Sequence, residues 1–144
     1  KETWDFDYGN EFTQQVQDQI IDMLKPNYIN GLTLLGGEPM EPQNQAELVK
    51  LLRRVRETYG NKKNIWCYSG YTLDNELLKE SRARCEHTDE MLSYIATLVD
   101  GEFVEELKNL KLRFKGSENQ RIIDVKKSMQ ENRIILWEGD TNAV

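Results

Sequence analysis

The motif Gly36-Gly37-Glu38-Pro39 combines a bare main chain with a carboxylate, directly after an apolar run. Two adjacent glycines allow left-handed backbone conformations and let a ligand approach the main chain closely. Glu38 and exposed carbonyl oxygens could together hold an ammonium group through charge-assisted hydrogen bonds. The same residues could instead form an ordinary strand-to-helix turn, in which Glu38 favours the N-terminus of the next helix. The motif alone leaves both roles open.

Two further apolar runs end in polar turns that contain glycine. Residues 65–68 precede Ser69 and Gly70, and residues 95–99 precede Asp100 and Gly101. All three runs are short, rich in β-branched or aromatic residues and free of polar alternation, which is typical of strands buried on both faces. The glycines recur about every thirty residues, which is the length of a βαβ unit.

Helical patterns lie between and before these runs. Residues 43–59 place apolar side chains at spacings of three and four, and Gly60 follows as a stop signal. A second helix is predicted before the first run, with Thr13 as its N-cap and Pro26 at its end. Its predicted apolar stripe consists of Val16, Ile20, Met23 and Leu24.

The order of strand, helix and strand predicts an α/β fold with a parallel sheet and right-handed crossovers. The predicted strands cover residues 32–36, 65–69 and 96–100, side by side in one sheet. Shorter helical pieces over residues 73–80 and 89–93 connect the second strand to the third. Ligands of parallel sheets bind at the carboxyl ends of the strands, so the three turns should converge on one edge.

The composition is that of a soluble, net acidic chain. Its 144 residues include 25 acidic and 19 basic side chains, 38 % are apolar, and the mean hydropathy is −0.71. No apolar run approaches the roughly 20 residues of a membrane-spanning helix, and the first residues lack an apolar secretory signal. A net charge of −6 disfavours binding to nucleic acid. We therefore expect one cytoplasmic domain, residues 1–144, with no membrane and no nucleic acid as partner.

The cysteines and the single histidine exclude several kinds of site. Cys67 and Cys85 are too few for a zinc site or an iron–sulfur cubane, and Cys67 lies in an apolar run that predicts burial. Without a sign of secretion, a disulfide between them is not expected. A single histidine, His87, cannot build a two-histidine metal site, which disfavours a zinc enzyme of that kind.

Several stretches, in the same order along the chain, resemble the anaerobic ribonucleoside-triphosphate reductase activating proteins, a family of radical S-adenosylmethionine enzymes. They extend from the first residues to about residue 125. The matching stretches are Glu2-Thr3-Trp4-Asp5-Phe6, Leu34-Leu35-Gly36-Gly37-Glu38-Pro39, Ile65-Trp66-Cys67-Tyr68-Ser69-Gly70-Tyr71, Leu98-Val99-Asp100-Gly101-Glu102-Phe103, Leu112-Arg113-Phe114-Lys115-Gly116-Ser117 and Asn119-Gln120-Arg121-Ile122-Ile123-Asp124. The resemblance implies a partial (βα) barrel of parallel strands flanked by helices.

The resemblance also implies which residues hold S-adenosylmethionine. Gly36, Gly37, Glu38 and Pro39 would contact its methionine moiety, whereas Tyr68, Ser69 and Gly70 would line the same cofactor. Asp100 would lie near the cofactor, where related activators sometimes place a monovalent cation. Asn119 and Arg121 would approach its adenosine side. The alternatives are a cap for a helix near Phe103 in the case of Asp100, and a helix cap and a surface arginine for Asn119 and Arg121.

One part of the family pattern is missing. The family holds a [4Fe-4S] cluster with a Cys-x3-Cys-x2-Cys loop just before the segment that resembles Glu2-Thr3-Trp4-Asp5, and these 144 residues contain no such loop. The cluster cysteines are therefore expected upstream of Lys1. No metal ligand is predicted within the chain itself, and no catalytic side chain is assigned.

The resemblance implies that the protein activates an anaerobic ribonucleotide reductase. The cluster, reduced by a donor such as flavodoxin, would cleave S-adenosylmethionine to methionine and a 5′-deoxyadenosyl radical, which takes a hydrogen atom from a glycine Cα of the reductase. Two alternatives stay open: an activator of another glycyl-radical enzyme, such as pyruvate formate-lyase, or a docking module without chemistry. Glu102 stands where the pyruvate formate-lyase activators have a lysine, which disfavours the first alternative.

Overall fold

The structure is a computed structural model that describes residues 2–7, 14–35, 37–112 and 114–137, with residues 2–7 as main chain. Strands alternate with helices from the start of the described chain. The elements are β1 (Glu2–Asp7), α1 (Gln14–Met23), β2 (Ile29–Leu35), α2 (Pro42–Tyr59), β3 (Asn64–Ser69), α3 (Thr88–Tyr94), β4 (Thr97–Asp100), β5 (Arg121–Asp124) and α4 (Val125–Glu131).

The five strands form one sheet in the order β1-β2-β3-β4-β5. Neighbours from β1 to β4 are parallel, so the predicted α/β fold and the three adjacent parallel strands are confirmed. β5 runs antiparallel to β4, a pairing that the sequence patterns did not predict. Gly36, predicted as the last residue of the first strand, lies outside the described residues.

One face of the sheet carries the hydrophobic core. Leu32, Ile65, Cys67 and Leu98 are at most 3 % exposed and pack with the apolar faces of α1, α2 and α3. The prediction that Cys67 is buried is confirmed, and burial raises the pKa of its thiol far above the ordinary value. This packing fixes the register of β2, β3 and β4, and therefore the positions at which the three strands end.

The predicted helices are largely confirmed. α2 begins at Pro42 and ends at Tyr59, and the Gly60 N–H donates to the Arg56 carbonyl at 2.8 Å with a left-handed φ of +61°. In α1 the interpretation of Met23 was wrong, since its side chain is 43 % exposed while Ile20 is buried. The predicted cap Thr13 lies outside the described residues.

The connections after β3 and β4 are less regular than predicted. The helical piece over residues 73–80 is a π-helical turn, Leu73–Leu77, and the second piece is α3, Thr88–Tyr94. Instead of a helix near Phe103, the chain forms only a 3-10 turn, Glu105–Leu107. Asp100 therefore caps no helix there.

Gly31 is required by close main-chain packing. A Cβ at this position would lie 1.9 Å from the carbonyl oxygen of Asn64 on the neighbouring strand, a contact that no side chain allows. Within the described part of the chain, no helix is both long and apolar enough to cross a lipid bilayer.

Candidate functional site

The carboxyl ends of β2, β3 and β4 lie along one edge of the sheet, as the parallel pairing requires. We call the turns that follow them, residues 37–41, 69–73 and 100–102, the carboxyl rim. Ser69 and Asp100 end adjacent strands in paired register, and both are buried, at 5 % and 0 % exposure. The polar residues predicted at the three strand ends therefore do come together.

Glu38 joins the first two turns of the carboxyl rim. Its Oε1 accepts a hydrogen bond from the Gly70 N–H at 2.7 Å, and its Oε2 accepts from the Ser69 hydroxyl at 2.7 Å and the Met40 N–H at 3.0 Å. A carboxylate offers about four acceptor sites, so these three bonds leave limited capacity for a ligand. Glu38 holds two turns together in addition to any contact with a ligand.

Gly37 and Pro39, which flank Glu38, differ in their access to solvent. Gly37 is exposed, and a Cβ built on it would meet no heavy atom within 4 Å. Pro39 is buried, which limits its access to a ligand. The open space at the motif is therefore beside the main chain of Gly37.

Asp100 and Arg121 face each other across β4 and β5. The guanidinium donates from Nε to Oδ1 of Asp100 at 3.0 Å and from Nη2 to Oδ2 at 2.6 Å, and Nη2 also donates to Oδ1 of Asp74 at 2.8 Å. The main-chain N–H of Leu73 donates to Oδ2 of Asp100 at 2.8 Å. The turns after β3 and β4 are thus joined to β5 by one buried carboxylate and one arginine.

Ion pairing shifts the pKa values of Arg121 and Asp74. The hydrogen bond to Asp100 is the main reason that the pKa of Arg121 is raised above its ordinary value, and the hydrogen bond from Arg121 lowers the pKa of Asp74. The Asp100 side chain is 1 % exposed, so removal of the arginine would leave a buried, unpaired charge. Arg121 is the counter-ion of Asp100.

The segment before β5 is tied to the turn after β4. Asn119 donates to the Glu102 carbonyl at 2.8 Å and accepts from the Ser117 hydroxyl at 2.6 Å. Gln120 donates to the carbonyl of Gly101 at 3.0 Å, where the backbone has a φ of +100° that favours glycine. Asn119 is therefore tied to the carboxyl rim, and its side chain bonds to the protein's own loop.

Sequence patterns missed a polar cluster beside Glu38. The Tyr71 hydroxyl donates to Oε1 of Glu41 at 2.5 Å, and Arg82 donates to Oε2 of Glu41 at 2.6 Å and to the Tyr71 oxygen at 3.0 Å. The hydrogen bond from Tyr71 is the main reason that the pKa of Glu41 is lowered, and the same bond raises the pKa of Tyr71. No periodic signal relates these three positions, since they lie on separate loops.

Trp66 lies outside the helix-covered core. It is half-buried on the other face of the sheet, with the rings of Phe114 and Trp137 at centroid distances of 5.3 and 5.0 Å. Tyr68 is half-buried too, one residue before Ser69 of the carboxyl rim.

Comparison with known proteins identifies the family. Residues 1–123, which include the whole carboxyl rim and Arg121, match the family described as "4Fe-4S single cluster domain". The anaerobic ribonucleoside-triphosphate reductase-activating protein of Escherichia coli K12 is 40 % identical over 122 residues, 83 % of this chain and 73 % of that protein. The chain belongs to this family of activating proteins.

Further members of the activating-protein family match over a similar length. The protein of the same name from Haemophilus influenzae is 40 % identical over 124 residues, 85 % of this chain and 74 % of that protein. The one from Enterobacteria phage T4 is 34 % identical over 122 residues, 85 % and 70 % of the two chains. No solved structure matches the chain.

The cluster that the family description names does not fit the residues of this chain. A [4Fe-4S] cluster is held by cysteine thiolates, and the sequence has two cysteines. Cys67 is fully buried in the core, and Cys85 donates from Sγ to Oε1 of Gln45 at 3.4 Å. Among the described residues, no three histidine, cysteine or acidic side chains form a group that could hold a metal ion.

Proposed function

We propose that this chain activates an anaerobic ribonucleotide reductase by installing a glycyl radical, with S-adenosylmethionine as the source of the radical and a [4Fe-4S] cluster as the electron-transfer group. The observation that carries the proposal is the carboxyl rim, where Glu38 joins two turns beside the open main chain of Gly37. The names of the family members supply the reductase as partner.

In this proposal the chain is a single radical S-adenosylmethionine domain whose sheet is part of a (βα) barrel. The main chain of Gly36 and Gly37 and one acceptor site of Glu38 would hold the ammonium group of the cofactor. The bonds from Ser69 and Gly70 to Glu38 keep that carboxylate at the strand ends in a fixed orientation. The residues thus fit the methionine end of the cofactor, although the buried Pro39 contributes through the turn rather than by contact.

Arg121, Asn119 and Asp100 have a different role from a direct ligand contact. The Arg121 guanidinium bonds to the Asp100 carboxylate, which also accepts the Leu73 N–H, and Asn119 donates to the Glu102 carbonyl. These bonds fix the turns after β3 and β4. We therefore propose that they shape the adenosine side of the cleft, with Tyr68 beside it. An electron donor such as flavodoxin is part of the same proposal, as are cluster cysteines upstream of Lys1.

A non-catalytic docking module is the second candidate, because the side chains of Glu38, Asp100 and Arg121 bond to the protein's own turns and so have roles that need no cofactor. A module of this kind would bind the reductase without any transfer of a hydrogen atom.

Electron paramagnetic resonance of the reductase tests the proposal. The full-length activating protein, reconstituted with iron and sulfide, is mixed with the reductase, S-adenosylmethionine and a chemical reductant under anaerobic conditions. We expect a glycyl radical whose Cα-proton splitting disappears when the reductase carries deuterated glycine. Omission of S-adenosylmethionine is the control. Binding to the reductase without a radical would instead favour the docking module.

A further inference from the structure

The connection from β4 to β5 leaves and re-enters the sheet at its carboxyl edge, because Asp100 and Arg121 are paired in register. Residues 107–118 of this connection form a short hairpin, in which the Asn109 N–H donates to the Gly116 carbonyl at 3.3 Å. We call residues 107–118 the rim hairpin. It projects from the edge of the sheet that carries the carboxyl rim.

The rim hairpin is fixed to the rest of the protein at two places. The Gln120 side chain accepts the Gly116 N–H at 2.8 Å and donates to the carbonyl of Gly101 at 3.0 Å, which ties the base of the hairpin to the turn after β4. The Phe114 ring packs against that of Trp66 at a centroid distance of 5.3 Å. The hairpin therefore has a defined position beside the carboxyl rim.

The turn of the rim hairpin presents a leucine to solvent. The Leu112 N–H donates to the Asn109 carbonyl at 3.2 Å, and the Lys111 N–H donates to Oδ1 of the Asn109 side chain at 2.9 Å. These bonds define a β-turn with Leu110 at its second position, and asparagine stabilises such a turn through its side chain. Leu110 is 89 % exposed, so it contributes almost nothing to the protein's own core. Its apolar surface is available to a partner.

The surface around Leu110 is apolar and basic. Residues 103–114 contain four large apolar residues that are exposed, at 50 %, 39 %, 89 % and 42 %, namely Phe103, Leu107, Leu110 and Phe114. Residues 108–115 contain four basic side chains and no acidic one, although the whole chain has a net charge of −6. Exposed apolar residues with a charged border are typical of protein interaction sites, and a basic border favours a partner with acidic groups.

We propose that the rim hairpin is a docking site for the reductase, in which Leu110 enters an apolar pocket that acidic side chains of the reductase border. The choice of partner rests on the proposed function. The reacting glycine has to reach the carboxyl rim, so the reductase surface beside that glycine lies against whatever projects from this edge of the sheet. The fixed turn favours binding, since little conformational freedom is lost when Leu110 is buried. The basic side chains accelerate association and orient the two proteins.

Calorimetric titration of the full-length activating protein with the reductase tests the docking site. Leu110→Ser should weaken binding by at least about tenfold, a difference that burial of one leucine side chain can supply, and should leave the urea unfolding curve unchanged. Tyr28→Ser is the matched control, because Tyr28 is 66 % exposed and precedes the amino end of β2, at the opposite edge of the sheet. Unchanged binding by Leu110→Ser, or equal losses in both variants, would overturn the docking site alone. Absence of binding by the wild type would overturn the proposed function as well.

The salt dependence of the same titration tests the basic border. Lys111→Glu should weaken binding several-fold at low ionic strength and make the affinity less sensitive to salt. Lys62→Glu is the matched control, since Lys62 is also exposed but lies before the amino end of β3. Equal effects of the two lysine substitutions would overturn the acidic pocket. If Leu110→Ser and Lys111→Glu instead slowed only the reduction of the protein by flavodoxin, the rim hairpin would bind an electron donor and the reductase would be the wrong occupant.

Discussion

The carboxylate of Glu38 accepts the main-chain N–H of Gly70 at 2.7 Å, and this bond joins the turn after β2 to the turn after β3. Gly70 is suited to this contact because a Cβ there would lie 3.3 Å from Oε1 of Glu38 and 3.5 Å from Cγ of Glu102. The glutamate of the Gly-Gly-Glu-Pro motif is therefore a structural contact in its own right. Its two roles, joining the turns and binding a ligand, can be separated by experiment.

Glu38→Gln should destabilise the protein. The amide presents one acceptor oxygen where the carboxylate uses two, so it cannot accept from Gly70, Ser69 and Met40 together. Hydrogen bonds to charged groups contribute about 1.5–3 kcal/mol, and we expect a loss in that range in the free energy of unfolding by urea. Glu41→Gln, in the same turn but paired with the 75 % exposed Arg82, should have a much smaller effect. Equal losses for the two variants would contradict a special role of Glu38.

Gly37→Val should leave folding intact and weaken the binding of S-adenosylmethionine. The space beside Gly37 is open, so the valine meets the ligand and not the protein. We expect affinity to fall by about tenfold or more, which corresponds to roughly 1.4 kcal/mol, in calorimetry on the cluster-loaded full-length protein. Gly37→Ala is the graded control and should weaken binding less. Unchanged affinity with an unchanged unfolding curve would show that the motif is only a turn.

Arg121→Met should be among the most destabilising substitutions of a polar residue. It removes the counter-ion of Asp100, whose side chain is 1 % exposed, and leaves that charge buried. Breaking a buried pair in this way costs about 3–5 kcal/mol, which urea unfolding at neutral pH would measure. In the Asp100→Asn background the same arginine substitution should cost far less. Additive effects of the two substitutions would show that the pair is not coupled.

The pKa of Glu90 should be about 2, well below its usual 4.5, because Arg53 and Tyr94 donate hydrogen bonds to its carboxylate. A lowered pKa in the folded state means that this pairing stabilises the protein above pH 4.5 and that the contribution is lost as the pH falls towards 2. An NMR titration of the Glu90 side chain measures the value directly. Arg53→Ala should move it back up, whereas Arg133→Ala, which removes a distant exposed arginine, should not.

The chain of 144 residues, purified alone, should bind no stable iron–sulfur cluster, because Cys67 and Cys85 supply at most two thiolates. Iron analysis and absorption spectra after chemical reconstitution test this, with the Cys67→Ala and Cys85→Ala variants as matched controls. About four irons per chain with a cubane absorption band would refute the prediction.

Local patterns were sufficient for the parallel part of the fold. The apolar stripe of residues 43–59 predicted the start of α2 to within one residue. The glycine-terminated apolar runs predicted β2, β3 and β4 and their order in the sheet. The same logic placed Ser69 and Asp100 at one edge, since parallel strands that end in turns bring their last residues together. Each of these inferences depended on residues close in sequence and on one general rule of sheet geometry.

The features that the sequence patterns did not predict are contacts between segments that lie far apart along the chain. The pairing of Asp100 with Arg121 needs the antiparallel β5, and the contact of Trp66 with Trp137 joins residues on opposite sides of α4. Neither has a periodic signature. The helix expected near Phe103 is replaced by a 3-10 turn, since Lys108 instead bridges to Ser117 and closes the loop on itself. Side-chain spacing cannot reveal contacts of this kind.

Gly31 and Gly37, six positions apart on the same strand and its turn, would give opposite results in a library of all single substitutions. At Gly31 even alanine collides with the Asn64 main chain, so every replacement should lower the amount of folded protein in the cell. At Gly37 the space beside the main chain is open, so protein abundance should tolerate replacements that activity does not. A paired screen for abundance and for anaerobic growth would thus distinguish a glycine that the architecture demands from one that a ligand demands.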